Sequence, residues 1–169
     1  PVLFMLFIAP LHKLSTESKK YGYADDYNLL AIGDNLTQTT ATLSRDLVKI
    51  LDWGASNGVS FAREKTELLH LSRRRGSHNP TLSLPSHGFN IQPTPTDSSL
   101  RWLGVWFDRK LSFQAHVKKT VAKGITAAAI FHGLSNTVRG LSPAVARSAV
   151  MACVIPVALY ASETWWRPP

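Results

Sequence analysis

The sequence predicts an α+β protein, with short antiparallel strands and helices over about the first 110 residues and helices alone after that. Three observations lead to this prediction. Apolar and aromatic runs flank a tight turn near residue 25, as in a β-hairpin. Apolar residues recur at spacings of three and four between residues 39 and 58, as in a helix that packs on one side. The same spacing returns at residue 114 and continues through most of the remaining chain.

The chain opens with an apolar segment, residues 2–14, that predicts a helix ending near Lys13 and Leu14. Its apolar run is shorter than the ~20 residues that a membrane span needs, and no basic stretch precedes it as in a signal peptide. We therefore expect an intracellular protein, nuclear or cytoplasmic, that is neither secreted nor bound to a membrane. We interpret the abrupt apolar start as a cut within a buried helix, which predicts a piece of a longer protein.

Two adjacent carboxylates, Asp25 and Asp26, lie between apolar runs at residues 20–24 and 27–33. At most four residues remain to turn the chain, so both aspartates are predicted at or beside the tip of a hairpin, roughly 21–24 paired with 27–32. Carboxylates held this close repel each other and are stabilised by a divalent cation, and hard oxygen ligands suit Mg²⁺. The alternative is that the aspartates only serve the turn, through hydrogen bonds to their own backbone.

A helix is predicted from residue 39 to 58, where Asn57-Gly58 supplies a stop signal. Its apolar positions are Leu43, Leu47, Ile50, Leu51 and Gly54. Five further strands are predicted after it: residues 59–61, 67–71, 81–84, 89–92 and 100–107. The third and fourth of these pair as a hairpin across residues 85–88, and residues 108–110 turn the chain after the fifth.

The last third of the chain predicts two helices, at residues 114–134 and 143–162, the second interrupted by Pro156. One face of the first helix is formed by Val117, Val121, Ile125, Ala128 and Phe131. We expect the two helices to pack against each other through Val117, Val121, Ile125, Val150 and Val154.

The net charge of +8 predicts a polyanionic partner, most simply nucleic acid. Two basic clusters carry this prediction: Arg73, Arg74 and Arg75, then Lys118, Lys119 and Lys123. Both clusters can bind phosphates, which gives affinity without sequence specificity. The alternative is that they are solvated faces, as charge runs usually are.

The single cysteine, Cys153, excludes an internal disulfide and fits a reducing compartment. The six histidines show no paired spacing that would predict a zinc site.

Five blocks, spread over nearly the whole chain, carry a family resemblance. They are residues 1–8 (P-V-L-F-M-L-F-I), Tyr23-Ala24-Asp25-Asp26, residues 53–61 (W-G-A-S-N-G-V-S-F) with Lys65-Thr66, residues 100–108 (L-R-W-L-G-V-W-F-D) with His116 and Val117 after them, and residues 160–165 (Y-A-S-E-T-W). In this order they resemble motifs of the reverse transcriptases of non-LTR (LINE-like) retrotransposons. The second block resembles the catalytic [FYM]-x-D-D box of that family.

The resemblance implies part of a right-hand polymerase: the C-terminal part of the palm at residues 1–110, an antiparallel sheet with helices on one face, and a helical thumb at residues 111–169. It implies nucleotidyl transfer with two metal ions, Mg²⁺ or Mn²⁺. The implied partners are an RNA template, a DNA primer and, in the full-length enzyme, a deoxynucleoside triphosphate. Asp25 would bridge the metals, and Asp26 would be the second, less directly coordinating carboxylate.

The resemblance also gives roles to three other residues. Lys65 matches a palm lysine that protonates the leaving pyrophosphate; the alternative is a solvated surface lysine. Trp102 and Gly104 match the strand region that holds the primer end; the alternative is aromatic packing within a sheet.

The departures from the family pattern are as informative as the matches. The family's metal site also needs an aspartate from an earlier strand, and the finger residues that bind the nucleotide and most of the Q-G-S-P loop are absent from this sequence. We therefore expect the chain to hold part of an active site and to be inactive alone. Two alternatives stay open: a non-catalytic nucleic-acid-binding remnant, and a fragment of an intron maturase or telomerase-type polymerase. Gly104 in its strand and the Y-A-S-E-T-W block favour the retrotransposon enzyme.

Overall fold

The computed structural model of the 169-residue chain describes residues 2–74, 78–134 and 140–166. Within this part the helices are Val2–Lys13 (α1), Leu36–Ser56 (α2), Gln114–Leu134 (α3), Pro143–Ala149 (α4), Ile155–Ala158 (α5) and Ser162–Trp165 (α6). The strands are Lys19–Tyr23 (β1), Asp26–Leu30 (β2), Leu82–Leu84 (β3), Phe89–Ile91 (β4), Ser99–Trp102 (β5) and Val105–Asp108 (β6). Consecutive strands pair as three antiparallel two-stranded sheets, so the predicted α+β composition is confirmed.

The described residues form two compact units. The first contains the residues up to His70 and the segment Arg74–Thr94; the second contains Leu71–Arg73 and the residues from Pro95 onward. The predicted boundary between palm and thumb at residues 110 and 111 concerns function and stays a prediction. None of the helices in the described ranges is long and apolar enough to cross a membrane.

Helix α2 organises the core of the first unit. The side chain of Asn35 caps it by accepting a hydrogen bond from the backbone N–H of Gln38, 2.8 Å away. Its predicted apolar face is confirmed, because apolar residues of α2 pack against two separate groups of buried residues. One group, Leu43, Leu47, Val48 and Leu51, packs on the buried residues Leu68, Leu82, Leu84 and Ile91. Ile50 packs instead on Ile8 and Leu11 of α1.

Helix α1 is only partly the buried helix that the sequence predicts. Ile8 and Leu11 are buried, whereas the side chains before Ile8 are exposed, as for Leu3 at 83% and Leu6 at 67%. The helix therefore joins the core through its second half.

Two of the predicted strands, at residues 59–61 and 67–71, are wrong. The backbone N–H of Val59 donates to the carbonyl of Gly54 in α2, and a 3₁₀ turn, Arg63–Lys65, follows. Leu68 makes a single bridge to Pro93, and a proline has no N–H with which to extend a ladder. The predicted hairpin farther along is confirmed as β3 and β4, joined through Gly88 at φ 67°.

The predicted strand at residues 100–107 is a hairpin, β5 and β6, turned by Leu103 and Gly104. Both turn residues have positive φ, 47° and 81°, as in a type I′ turn. Gly104, a glycine inside an apolar run, was the sequence feature that could have indicated this turn.

In the second unit α3 has the predicted bounds, but the predicted helix at residues 143–162 is broken. After α4 the chain forms a π-helical turn, Val150–Val154, and then the short α5. Pro156 lacks the N–H that an α-helix would use at this point, which explains the local change of pattern. Ala161, at φ 54°, separates α5 from α6.

The two helical segments pack against each other, but not through the predicted face of α3. Among the residues of α3 whose side chains are described, the buried positions are His116, Thr120 and Gly124, while Val121 and Ile125 are 44% and 66% exposed. A Cβ atom on Gly124 would lie 2.9 Å from the Cβ of Ala158 in α5. This close approach requires a glycine and turns the larger apolar side chains outward; of the predicted contacts, Val154 is buried.

Candidate functional site

The hairpin of β1 and β2 places the two predicted aspartates at its tip, as expected. The pairing runs from Lys19 opposite Leu30 to Tyr23 opposite Asp26, so Ala24 and Asp25 form a two-residue turn. Ala24 has φ 52°, a left-handed conformation that a hairpin turn of this length requires but that costs a non-glycine residue energy. Asp25 is therefore a turn residue, and Asp26 is the first residue of β2.

Both carboxylates are exposed, and neither has a hydrogen bond or ion pair with any residue in the described part of the chain. They offer hard oxygen ligands of the kind that Mg²⁺ prefers. However, no group of three His, Cys, Asp or Glu residues that could hold a metal ion exists within residues 2–74, 78–134 and 140–166. The residues present therefore do not fit a two-metal centre by themselves.

The hairpin is held against the C-terminal end of α1. The ammonium group of Lys20 on β1 donates to the carbonyls of Leu14 and, at 3.4 Å, of Leu11. The hydroxyl of Tyr27 on β2 donates to the same Leu11 carbonyl at 3.4 Å. Burial raises the pKa of Tyr27 to about 12, so the hydroxyl stays protonated and remains a donor. Both strands are thus fixed near the carboxylates.

A close contact between Gly22 and His12 adds to this attachment. A Cβ atom on Gly22 would lie 2.6 Å from Cε1 of His12, and the imidazole ring lies 5.2 Å from the ring of Tyr27, measured between centroids. His12 was not among the residues predicted from the sequence. The glycine between two tyrosines was the signal, since a glycine within a strand often marks the close approach of another group.

Lys65 lies exposed in the 3₁₀ turn after α2, and its ammonium group has no hydrogen bond or ion pair with a residue that the structure describes. The structure does not bring it into contact with Asp25 or Asp26. Its role as a proton donor stays a prediction.

In the second unit, Trp106 on β6 lies under two cations. The ammonium nitrogen of Lys119 is 3.0 Å from the centre of a Trp106 ring, and Cζ of Arg101 is 5.9 Å from it. Arg101 is the direct partner of Trp106 across the hairpin. Cation–π contacts of this kind contribute about 0.5–1 kcal/mol at exposed sites. The Trp106 ring therefore keeps the positive charges of Arg101 and Lys119 near each other on this surface.

Lys119 was predicted from the sequence, whereas Arg101 and Trp106 were missed. Their pairing becomes visible only when the turn at Leu103-Gly104 is known. Lys118 and Lys123 are exposed on α3, and neither ammonium group makes a hydrogen bond or ion pair within the described part of the chain. Arg73 and Arg74 are exposed outside any helix or strand, and Arg75 lies outside the described residues.

Trp102 and Gly104 are tied into the second unit by packing. The Trp102 ring is half-buried with its centroid 6.2 Å from that of Phe107, and its buried Nε1 has no acceptor among the described residues. A Cβ atom on Gly104 would lie 3.0 Å from the ring and hydroxyl of Tyr160. Neither residue is assigned to a primer by these contacts, and that role stays a prediction.

Tyr160 connects the β5–β6 turn to the chain's last described segment. Its hydroxyl donates to the carbonyl of Leu103 at 2.8 Å. Its own carbonyl lies 3.0 Å from Nε2 of His116 and accepts from Nε1 of Trp165 at 3.2 Å. Nδ1 of the fully buried His116 accepts from the backbone N–H of Trp106, which leaves the ring proton on Nε2.

The carboxylate of Asp108 shapes the loop from β6 to α3. It accepts hydrogen bonds from the backbone N–H groups of Lys110, Ser112 and Phe113 and from the hydroxyl of Ser112, at 2.7–3.0 Å. Partial burial raises the pKa of Asp108, but these hydrogen bonds outweigh it and hold the pKa below its usual value. Leu111 and Phe113 have φ angles of 52° and 57°, so the carboxylate stabilises a strained loop.

Comparison with known proteins points to a retroelement. Over 144 residues the chain is 22% identical to the "Retrovirus-related Pol polyprotein from type-1 retrotransposable element R1 3" of Nasonia vitripennis. The aligned region covers 85% of this chain, and the chain spans 38% of that relative's length. No family model matches the chain. No solved structure matches it. The similarity is distant and supports a retroelement-related origin.

Proposed function

We propose that this chain is part of the RNA-directed DNA polymerase of a non-LTR retrotransposon, with the C-terminal part of the palm at residues 1–110 and the thumb at residues 111–169. One observation carries the proposal: two adjacent, exposed carboxylates, Asp25 and Asp26, lie at the tip of a hairpin that its neighbours hold in place. The distant similarity to an R1 Pol polyprotein supports the same assignment and favours it over a maturase or telomerase-type polymerase.

In this proposal Asp25 and Asp26 contribute two of the carboxylates of a nucleotidyl-transfer centre that uses Mg²⁺ or Mn²⁺. Such a centre holds two ions about 3.5–4 Å apart, and one hairpin does not supply enough ligands to fix both. The 169-residue chain is therefore inactive alone. Lys65 is the proposed proton donor to the leaving pyrophosphate in the longer enzyme, where the deoxynucleoside triphosphate also binds.

The second unit is proposed to contact the phosphates of the RNA template and DNA primer. Support comes from Arg101 and Lys119, the two cations that lie over the Trp106 ring. The exposed side chains of Lys118 and Lys123, which are near Lys119 in the sequence, add to this support. Trp102, Gly104 and Arg73 belong to the same proposal. Arg74 and Arg75 fall in the segment assigned to the first unit and are proposed as separate phosphate contacts. These contacts neutralise backbone charge, so affinity should depend on salt more than on base sequence.

The second candidate function is a non-catalytic nucleic-acid-binding protein that keeps the polymerase fold. It is favoured by the lack of a third metal-binding side chain near the aspartates within the described ranges. Under this alternative Asp25 and Asp26 serve only the turn, and nucleic-acid binding persists without any polymerase activity in a longer protein.

The experiment that separates the two candidates is primer extension by the longer protein that contains this sequence, with an RNA template and Mg²⁺. We expect extension that is lost in Asp25→Asn and retained in Asp34→Asn, the matched control, because Asp34 is also exposed but lies beyond β2. Extension that is equal in both variants would remove the catalytic role of the hairpin. The 169-residue chain alone should bind a primer–template and extend nothing.

A further inference from the structure

The β5–β6 turn has a sequence that does not favour its conformation. Leu103 and Gly104 both have positive φ, 47° and 81°. Two-residue turns of this kind prefer Asn-Gly, because asparagine and glycine tolerate the left-handed region. A leucine in that region is strained and persists only where its surroundings impose the conformation. The turn therefore depends on a contact from elsewhere in the chain.

Tyr160 supplies that contact. Its hydroxyl is 2.8 Å from the carbonyl of Leu103, and its ring fills the space that a side chain on Gly104 would need. Tyr160 is itself anchored, because its carbonyl accepts hydrogen bonds from His116 and Trp165. Its side chain is nevertheless about half exposed, so packing alone does not hold the hydroxyl in place.

The turn also determines which side chains share a face of the hairpin. Trp102 pairs with Val105 next to the turn, and Arg101 pairs with Trp106 one step farther on. A change of register by one residue moves every side chain of a strand to the opposite face. The Arg101–Trp106 pair under Lys119 thus requires the turn that Tyr160 holds.

We propose that Tyr160 is a positioning residue: it holds the Leu103-Gly104 turn so that Arg101 and Lys119, placed over the Trp106 ring, present their charges together to nucleic-acid phosphates. This inference rests on the proposed function of the second unit. Tyr160 itself makes no contact with the nucleic acid. Its effect on binding passes entirely through the conformation of the turn.

The test compares four forms of the 169-residue chain: wild type, Tyr160→Phe, Leu103→Asn and the double variant. Tyr160→Phe removes one hydroxyl and keeps the ring, while Leu103→Asn installs the Asn-Gly pair that favours the same turn without help. Tyr21→Phe is the matched control, since Tyr21 is a similarly exposed tyrosine on β1. Two quantities are measured: the amide resonance and hydrogen exchange of Gly104 by NMR, and the affinity for a labelled RNA–DNA duplex by fluorescence anisotropy.

We expect Tyr160→Phe to accelerate exchange of the Gly104 amide and to weaken duplex binding roughly two- to tenfold, the range that one hydrogen bond of typical net strength gives. The double variant should recover both quantities, and Tyr21→Phe should change neither. If Tyr160 only stabilised the second unit in general, Leu103→Asn would restore neither of the two measured quantities.

The possible outcomes separate this inference from the function on which it rests. If the wild-type chain shows no salt-dependent duplex binding, the proposed function is wrong. The resonance and hydrogen exchange of the Gly104 amide in Tyr160→Phe then show by themselves whether Tyr160 holds the turn. An unchanged Gly104 amide in Tyr160→Phe overturns the inference, as does an altered turn with unaltered affinity. If Tyr160→Phe does not fold, the double variant must fold and bind as wild type does, or the inference is wrong.

Discussion

Asp46 on α2 accepts two hydrogen bonds from Ser18, one from the backbone nitrogen at 2.7 Å and one from the hydroxyl at 2.6 Å. A third comes from the backbone N–H of Glu17, and the ammonium group of Lys49 is 3.6 Å away. Because Ser18 directly precedes β1, this fully buried carboxylate ties the start of the hairpin to the central helix of its unit.

We predict that Asp46→Asn lowers the free energy of unfolding by about 1–3 kcal/mol, because the amide keeps only one acceptor oxygen and turns its NH₂ group either toward the two Ser18 donors or toward the N–H of Glu17. Burial raises the pKa of Asp46, but the bonds from Ser18 and Glu17 and the charge of Lys49 outweigh it, and the pKa lies below its ordinary value of 3.8. The stabilisation is therefore complete above about pH 4 and is lost as the pH falls through the lower folded-state pKa. Urea unfolding at pH 7 and pH 3 should show a smaller loss in the variant than in wild type, and an equal loss in both would contradict the assignment. Asp34→Asn is the control.

Asp108→Ala should destabilise the loop between β6 and α3 by about 1–3 kcal/mol, because four donors lose their acceptor. The strained conformations of Leu111 and Phe113 would then lose the carboxylate that binds the loop around them. Near-ultraviolet circular dichroism of the tryptophans during thermal unfolding is a suitable measurement. Asp97→Ala, in an exposed turn, is the control and should unfold as wild type does.

Gly22→Ala is expected to destabilise the hairpin by at most about 1 kcal/mol, because the new methyl group would overlap the His12 ring, which can move aside at a small cost. The imidazole is the end of an exposed side chain, so removing it should relieve the overlap. In a double-mutant cycle, Gly22→Ala combined with His12→Ala should therefore be more stable than Gly22→Ala alone. Additive effects would show that the two residues do not touch.

Gly54→Ala tests whether close packing outweighs helix propensity. Alanine is favoured over glycine by about 1 kcal/mol within a helix. At this position, however, the Cβ atom would lie 2.7 Å from the Phe61 ring and 2.8 Å from the backbone carbonyl of Val59. A backbone carbonyl has little freedom to move, so we predict net destabilisation in chemical unfolding. Gly133→Ala, in a helix where the new methyl group would meet none of the described residues, should be neutral or stabilising.

Lys118→Gln and Lys119→Gln should affect nucleic-acid binding in the same way but stability differently. Each removes one cation, so the log–log slope of duplex affinity against salt should become shallower by about 0.9 if one phosphate contact is lost. Lys119→Gln should also lower the melting temperature, because it loses its contact with Trp106. A salt slope unchanged in both variants would remove α3 from the binding surface.

The sequence predicted the elements whose signals are local. The aspartate hairpin, α2 with its apolar face, the hairpin at β3 and β4 and the bounds of α3 all follow from turn residues and apolar spacing. The predictions that were wrong concern segments whose conformation or orientation is determined by contacts with residues elsewhere in the chain. Residues 59–61 look like a strand, but Val59 satisfies its N–H at the end of α2 and finds no partner strand in the described part of the chain. On α3, the contact between Gly124 and Ala158 overrides the apolar spacing of Val121 and Ile125.

The candidate site was predictable only where one short segment contains it. Asp25 and Asp26 are adjacent in the sequence, so their placement needs no long-range information. Arg101 and Trp106 become a pair through a turn, and Tyr160 meets Leu103 across 57 residues of sequence. No periodicity in the sequence encodes that last contact, and a single sequence gives no other sign of it.

The way the chain passes between its two units limits how they can be separated. Leu71–Arg73 belongs to the second unit although first-unit segments flank it, and the backbone N–H of Ser72 donates to the carbonyl of Arg109 at 2.9 Å. A gene cut between Thr94 and Pro95 would leave that carbonyl without its donor. A single cut in the sequence therefore cannot release either unit whole, because each unit is built from two separate segments.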